Sequence, residues 1–205
     1  LRPTDEKSMI QPSSVYAITK STQEQMTMLM GKALSIPTVA LRYQNVYGPE
    51  QSLRNPYTGI LSVFSTRILN GNNIHIYEDG LQSRDFVFIS DVVEATILTL
   101  ENQESNYHIF NVGSGTPTSV NDIALKLTNE LGLKNKIKIT GQYRIGDIRH
   151  NYACLNKIKK ILDFEPKYDV GLGIKKFVSW LKTQKVQKDN YLKSIEELKQ
   201  NGFIK

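Results

Sequence analysis

The 205 residues are 40% hydrophobic and 22% charged, the balance of a globular chain long enough for one sizeable core, and this excludes a disordered protein. No stretch reaches the roughly 18 to 20 apolar residues needed to cross a bilayer, and the opening Leu1-Arg2-Pro3-Thr4-Asp5-Glu6 is no signal segment; the expectation is a soluble, cytoplasmic protein with no membrane partner. The net charge of +6 suits an anionic ligand, yet the lysines are dispersed and thickest from Lys182 to Lys205, without the basic stripe and interleaved aromatics of a nucleic-acid interface.

The first element in chain order is a proline-free helical pattern from Val15 to Leu34, with Ser13 and Ser14 as candidate N-caps and Pro37 just past its end. Ile36 to Tyr43 reads as a buried strand, and a loop with Gly48, Pro49, Asn55 and Pro56 leads into a helix from Gly59 to Leu69. Two short strands, Ile74 to Tyr77 and Asp85 to Ile89, flank the turn-forming Glu78-Asp79-Gly80. A helix from Asp91 to Leu100, with Asp91 favourably placed at its start, precedes a strand from Tyr107 to Val112. A helix from Val120 to Leu131, capped by Ser119 or Asn121, leads to a strand from Ile137 to Thr140 and a polar loop from Gly141 to His150. Helices from Leu155 to Leu162 and Leu172 to Lys182 complete a mixed α/β order. A last helix, Tyr191 to Lys199, is charged enough to be peripheral.

Among reactive residues, the lone Cys154 reads as a buried core thiol. His75, His108 and His150 lack metal-site spacing, so structural or solvent roles are expected and no metal. Gly113 and Gly115 read as a turn after a strand. Tyr16 and Lys20 stand four residues apart, on one face of the first helix. A phenol is a poor base at neutral pH, and a fixed cation beside it favours the phenolate that can take a proton from an alcohol. Ten tyrosines and nineteen lysines yield about one such pair by chance, so the spacing alone decides nothing.

The weight lies in three later segments and their order: Leu41-Arg42-Tyr43-Gln44-Asn45-Val46-Tyr47-Gly48-Pro49 at a strand end, then Arg84-Asp85-Phe86-Val87-Phe88-Ile89-Ser90-Asp91, then Phe110-Asn111-Val112-Gly113-Ser114-Gly115. With these segments the sequence resembles the extended short-chain dehydrogenase/reductase family, in particular its NAD-dependent nucleotide-sugar epimerases and dehydratases, to about Leu181. The resemblance implies that Tyr16 is the catalytic base and that Lys20 supports it and holds the nicotinamide ribose. Tyr43 and Val46 would join them in lining an NAD site, and Asn45 would contact the diphosphate or sugar. Arg84 would bind the diphosphate with its planar fork. Arg144 and Asp147 would grip the second phosphate and nucleotide ribose, and Ile76 and Tyr77 would run past the base. The residue chemistry leaves alternatives: an exposed Arg84–Asp85 pair, or Asn45 as a cap on the turn into Gly48-Pro49.

The fold that the resemblance implies is the C-terminal part of a Rossmann-like α/β protein. Residues 1–56 would be a remnant of the Rossmann domain, 57–185 mainly a smaller mixed α/β substrate-binding domain interleaved with late Rossmann elements, and 186–205 a peripheral helix. The family's N-terminal Rossmann half, with its glycine-rich loop and catalytic Ser or Thr, is expected to be absent, leaving this piece inactive alone. The implied activity is epimerisation at C4 of a UDP- or dTDP-linked sugar in a cytoplasmic homodimer serving cell-surface polysaccharide synthesis. The run from Asn55 to Ser62 looks more like the dTDP-rhamnose branch. A 4,6-dehydratase, or a non-catalytic nucleotide-sugar-binding or dimerisation module, stands as the alternative.

Overall fold

The computed structural model describes residues 2–55, 59–134 and 136–205. Helix α1 (Val15–Ala33) starts where Ser14, in extended backbone, turns its hydroxyl back to accept the Ala17 N–H at 3.1 Å. Strand β1 (Ala40–Tyr43) is shorter than its apolar pattern, because Pro37 has no N–H to give a ladder and regular pairing begins only at Ala40. Strand β2 (Asn45–Tyr47) comes after one residue, then α2 (Ile60–Leu69) and β3 (Ile74–Ile76). The boundary expected at 56/57 and the Pro56-Tyr57-Thr58 part of the substrate-branch motif lie outside the described residues.

Strand β4 (Ser83–Phe88) begins two residues before its expected start and therefore contains Arg84. It runs straight into α3 (Ile89–Glu101). Strand β5 (Ile109–Val112) starts later than its pattern, since Tyr107 sits in the left-handed region at φ 62°. A strand with no sequence signal, β6 (Pro117–Ser119), pairs antiparallel with β4; its Pro-Thr-Ser run looks like a turn. Helix α4 (Val120–Leu131) matches its pattern, with the Ser119 hydroxyl accepting the Asp122 N–H at 3.0 Å. Strand β7 (Ile137–Ile139), α5 (Asn156–Leu162), α6 (Val170–Leu181, capped by Asp169) and α7 (Tyr191–Gln200) complete the chain.

The pairings are β1 with β5, β2 with β4 and β3 with β7, all parallel, plus the antiparallel β6 on β4. Strand β4 is buried on both faces. Phe86 and Phe88 enter a core built with Leu61, Phe64 and Phe177, whereas Val87, pointing the other way, enters a second core with Phe110, Ile158 and Phe164. The continuous run Phe86-Val87-Phe88 thus separates two clusters.

Three expectations change. Asp91 does more than face a helix start: fully buried, its two carboxyl oxygens accept the Lys167 and Tyr168 N–H groups at 3.0 and 3.2 Å, tying α3 to the approach to α6. Cys154 is half-buried rather than a core thiol, because it lies on the segment bridging back to Thr4. Helix α7 is not peripheral. Its charged residues face solvent, but Tyr191 is 7% and Ser194 2% exposed, and the tail beyond it pairs Tyr143 with Lys205 in both directions at 2.9 and 3.0 Å.

One contact sets a size limit in the first core. A Cβ on Gly173 of α6 would stand 1.9 Å from the Tyr47 hydroxyl, which is buried with no hydrogen-bond partner among the described residues. Gly173→Ala should therefore destabilise the chain by about 1–3 kcal/mol through overpacking, visible as a lower urea midpoint at unchanged slope.

Candidate functional site

Residues from six elements converge on one cavity of ≈ 230 Å³. All six residues expected to bind substrate line it: Asn45 from β2, Ile76 and Tyr77 at the end of β3, Arg84 from β4, and Arg144 and Asp147 from the loop after β7. The α2 residues Ile60, Val63 and Phe64 form an apolar side. His75, Tyr191, Ser194 and Ile195 also line it, and no sequence motif assigns any of these four a binding role.

Arg84 is the most constrained of the polar group. Its guanidinium donates to the Ser83 and Arg149 carbonyls at 2.9 and 3.1 Å, and burial pulls its pKa down, opposed by the nearby charges of Asp147 and Glu78. The surface-pair alternative does not hold, because Asp85 points away into the fold. Its carboxyl oxygens accept from the Ser114 N–H and hydroxyl, the Gly115 N–H and the Ala153 N–H, at 2.7 to 3.1 Å. The Gly113-Ser114-Gly115 turn is thus held by Asp85, leaving Arg84 with two carbonyl contacts and a guanidinium edge at the cavity.

Arg144 lies over the Tyr77 ring, 5.9 Å from its centroid, with its Nε buried and without a partner among the described residues. Its loop is fixed from two sides. The Ser13 hydroxyl donates to the Gly146 carbonyl at 2.9 Å, and Gly146, at φ 82°, passes so near Ser13 that a Cβ would sit 2.8 Å from its carbonyl oxygen. On the other side, the Ile145 N–H donates to the Phe203 carbonyl at 2.9 Å. The N-cap region of α1 is thereby coupled to the loop carrying Arg144 and Asp147.

A second, more open cavity of ≈ 510 Å³ adjoins the first and shares Gly59 with it. Val46, Tyr47, Gly48, Gln51 and Ile89 line it. Neighbouring residues of β2 point to opposite faces, so Asn45 serves the first cavity and Val46 the second.

Tyr16, Lys20 and Tyr43 line neither cavity. Tyr16 is 71% exposed on α1, with the Lys20 ammonium 5.8 Å from its ring centroid and 3.3 Å from the Gln23 side-chain oxygen. Tyr16 and Lys20 present a phenol and an ammonium on one open helix face, groups with the chemistry to hydrogen-bond a nicotinamide ribose, while the apolar Val46 lines the second cavity. The Tyr43 hydroxyl is 3.0 Å from that of Thr96, and the residue lines a groove with Pro37, Leu41 and Leu100. The alternation along β1 turns it to that side. Among the described residues no group of three or more His, Cys, Asp or Glu is placed to hold a metal ion.

A family model described as the NAD dependent epimerase/dehydratase family matches residues 2–113. The dTDP-L-rhamnose 4-epimerase of Burkholderia thailandensis is 38% identical over 170 residues, covering 83% of this chain and 47% of that protein. Among solved structures, UDP-glucose 4-epimerase from Thermotoga maritima with UDP-glucose superimposes with a TM-score of 0.79 at 33% identity, over 89% of this chain and 58% of that one. The UDP-N-acetylglucosamine 4-epimerase from Methanobrevibacter ruminantium, in complex with UDP-N-acetylmuramic acid, gives 0.82 at 31%, over 89% and 58%. The chain spans about half the length of the curated relatives it matches.

Two residues beyond the cavity-lining Tyr77, Asp79 has a titration with a defined sign. Hydrogen bonding from Arg149 and the Leu81 N–H holds Asp79 down at about 2, below the ordinary 3.8. A depressed carboxyl contributes its stabilisation above the ordinary value and loses it as pH falls through the folded one. The Asp79 carboxyl resonance should titrate with a midpoint at about 2, and Arg149→Ala should return that midpoint to the ordinary carboxylate range.

Proposed function

We infer the function from family and geometry together: the chain belongs to the NAD dependent epimerase/dehydratase family, and its cavity is that of a nucleoside-diphosphate-sugar 4-epimerase. The observation that carries this reading is the convergence of Asn45, Ile76, Tyr77, Arg84, Arg144 and Asp147, far apart in sequence, on one cavity with two guanidiniums and an apolar side. Two planar forks suit a diphosphate, which presents several oxygens in a compact anion. Tyr77 and Ile76 then flank the base, Asp147 takes the nucleotide ribose, and the sugar points past Asn45 and Gly59 into the second cavity.

Val46, Tyr16 and Lys20 would hold an NAD, which would supply the acceptor and later the donor for the sugar C4 hydride. Tyr16 removes the proton from the 4-hydroxyl, and Lys20 contributes the neighbouring positive charge and holds the ribose. The oxidised sugar is a 4-ketone. Arg84 and Arg144 keep the diphosphate in place while the ring turns over, so the second face is presented without release. Tyr16 would then return its proton to the 4-oxygen, completing the inversion. The named relatives are 4-epimerases, which favours this course over 4,6-dehydration.

The active whole is read as a cytoplasmic homodimer acting on UDP- or dTDP-sugars for cell-surface polysaccharide, with the sugar closest to the rhamnose branch. Support for the dimer comes from α1, which exposes Met26, Leu29 and Met30 at 60%, 67% and 51%. Among the described residues no helix is long and apolar enough to cross a membrane. The division is read as 1–56 and the late Rossmann elements around the second core on the cofactor side, with the rest of 57–185 on the substrate side.

Calorimetry with UDP-, dTDP- and GDP-sugars tests the reading. Arg84→Ala should weaken binding of the preferred nucleotide sugar by about ten- to a hundredfold, the loss of a charge-assisted phosphate contact. Absence of binding to all three sugars by the unmodified chain, or binding indifferent to Arg84→Ala, overturns it.

A further inference from the structure

The C-terminal segment is the part of the cavity that neither the motifs nor the family match accounts for. Its first anchor is on α2. The Asp189 carboxyl accepts from Arg67 at 3.2 Å and from the Asn72 side-chain amide at 2.7 Å, and the Arg67–Asp189 pair is nearly buried, at 4% and 10% side-chain exposure. Arg67 is held in turn by the Asn73 carbonyl at 2.6 Å. Its second anchor is the pairing of Phe203 and Lys205 with Ile145 and Tyr143, on either side of Arg144. Between the anchors, α7 crosses the cavity and turns Tyr191, Ser194 and Ile195 into it, at i, i+3 and i+4 of one helix face.

Tyr191 is the aromatic residue of this wall. The Arg67 guanidinium lies 4.3 Å from its ring centroid, and the His75 ring meets it edge-on at 5.8 Å. These contacts, and its 7% exposure, fix the ring plane before any ligand arrives. Tyr77 adjoins it; burial first, then Tyr77, push the Tyr191 phenol above its usual range, so it stays a neutral hydrogen-bonding group. A rigid ring with a neutral hydroxyl, set beside the Ile76–Tyr77 segment, is what a flat heterocycle with polar edges requires. A charged residue there would read the phosphates instead.

We propose that Tyr191 is a specificity-determining residue of the nucleotide site, forming the wall against which the base packs and limiting the space to a pyrimidine. The assignment rests on the nucleotide-sugar reading of the cavity and adds to it a residue and a selection step. Because α7 is pinned at both ends, the wall does not retreat to admit a larger purine. Ser194, one turn on and 2% exposed, sets the depth.

The test uses the 205-residue chain and three probes, UDP, GDP and inorganic pyrophosphate, measured by calorimetry. Tyr191→Ala should weaken UDP about tenfold, the scale of one lost base–aromatic contact, while pyrophosphate affinity stays unchanged and the preference for UDP over GDP narrows. Tyr191→Phe keeps the ring and should hold UDP within about threefold of the original. Ser194→Trp, which fills the floor, should abolish UDP binding and spare pyrophosphate. Unchanged UDP affinity in Tyr191→Ala overturns the assignment, and so does a parallel loss of pyrophosphate, which marks a structural role. Failure of the unmodified chain to bind UDP or pyrophosphate overturns the nucleotide-sugar reading itself, a result distinct from a chain that binds both but ignores Tyr191.

Discussion

The carboxyl group of Asp85 is the contact on which the site depends. It is fully buried on β4 and gathers the turn after β5 and the Ala153 backbone around one side chain. Each of those N–H groups, left unpaired in the interior, would cost about 1–3 kcal/mol, so segments far apart in sequence are locked to a single strand. The same strand carries Arg84 to the cavity one residue earlier, facing the other way. Strand alternation thus divides two adjacent charged residues between the interior and the cavity.

That division repeats through the molecule. Strand β2 sends Asn45 to one cavity and Val46 to the other. Strand β4 sends Phe86 and Phe88 to one core and Val87 to the other. On β4, buried on both faces, a slip of one residue would exchange every contact. The loop bearing Arg144 lacks such a strand and is fixed by backbone pairing at Phe203 and by Ser13 instead.

Much of this was legible in the sequence where one signal sufficed. Ser119 ahead of a 3.6-residue apolar period located α4, and the family resemblance that the ordered segments carry named the six residues that meet at the first cavity. What escaped depended on tertiary context. The Pro-Thr-Ser of β6 becomes a strand only because the Ser83–Asp85 edge is there to pair with it. The charges of α7 hid a face formed by Tyr191, Ser194, Ile195 and Leu198, whose i, i+3, i+4, i+7 spacing was visible but narrow. The contact of Tyr43 with Thr96 likewise follows from the period of two in β1 and has no sign in the motif itself.

The first cavity draws its walls from Asn45 through Ile195, and the pairings beneath it, such as β3 with β7, join residues some sixty positions apart. Parallel pairings of that span form late, because the intervening loop must be closed before any contact rewards it. The cavity therefore exists only in the finished fold, and partly folded forms offer a ligand nothing to hold. Whatever binds there draws the population toward the native state by its own concentration relative to its Kd. Occupancy of the site becomes a readout of complete folding.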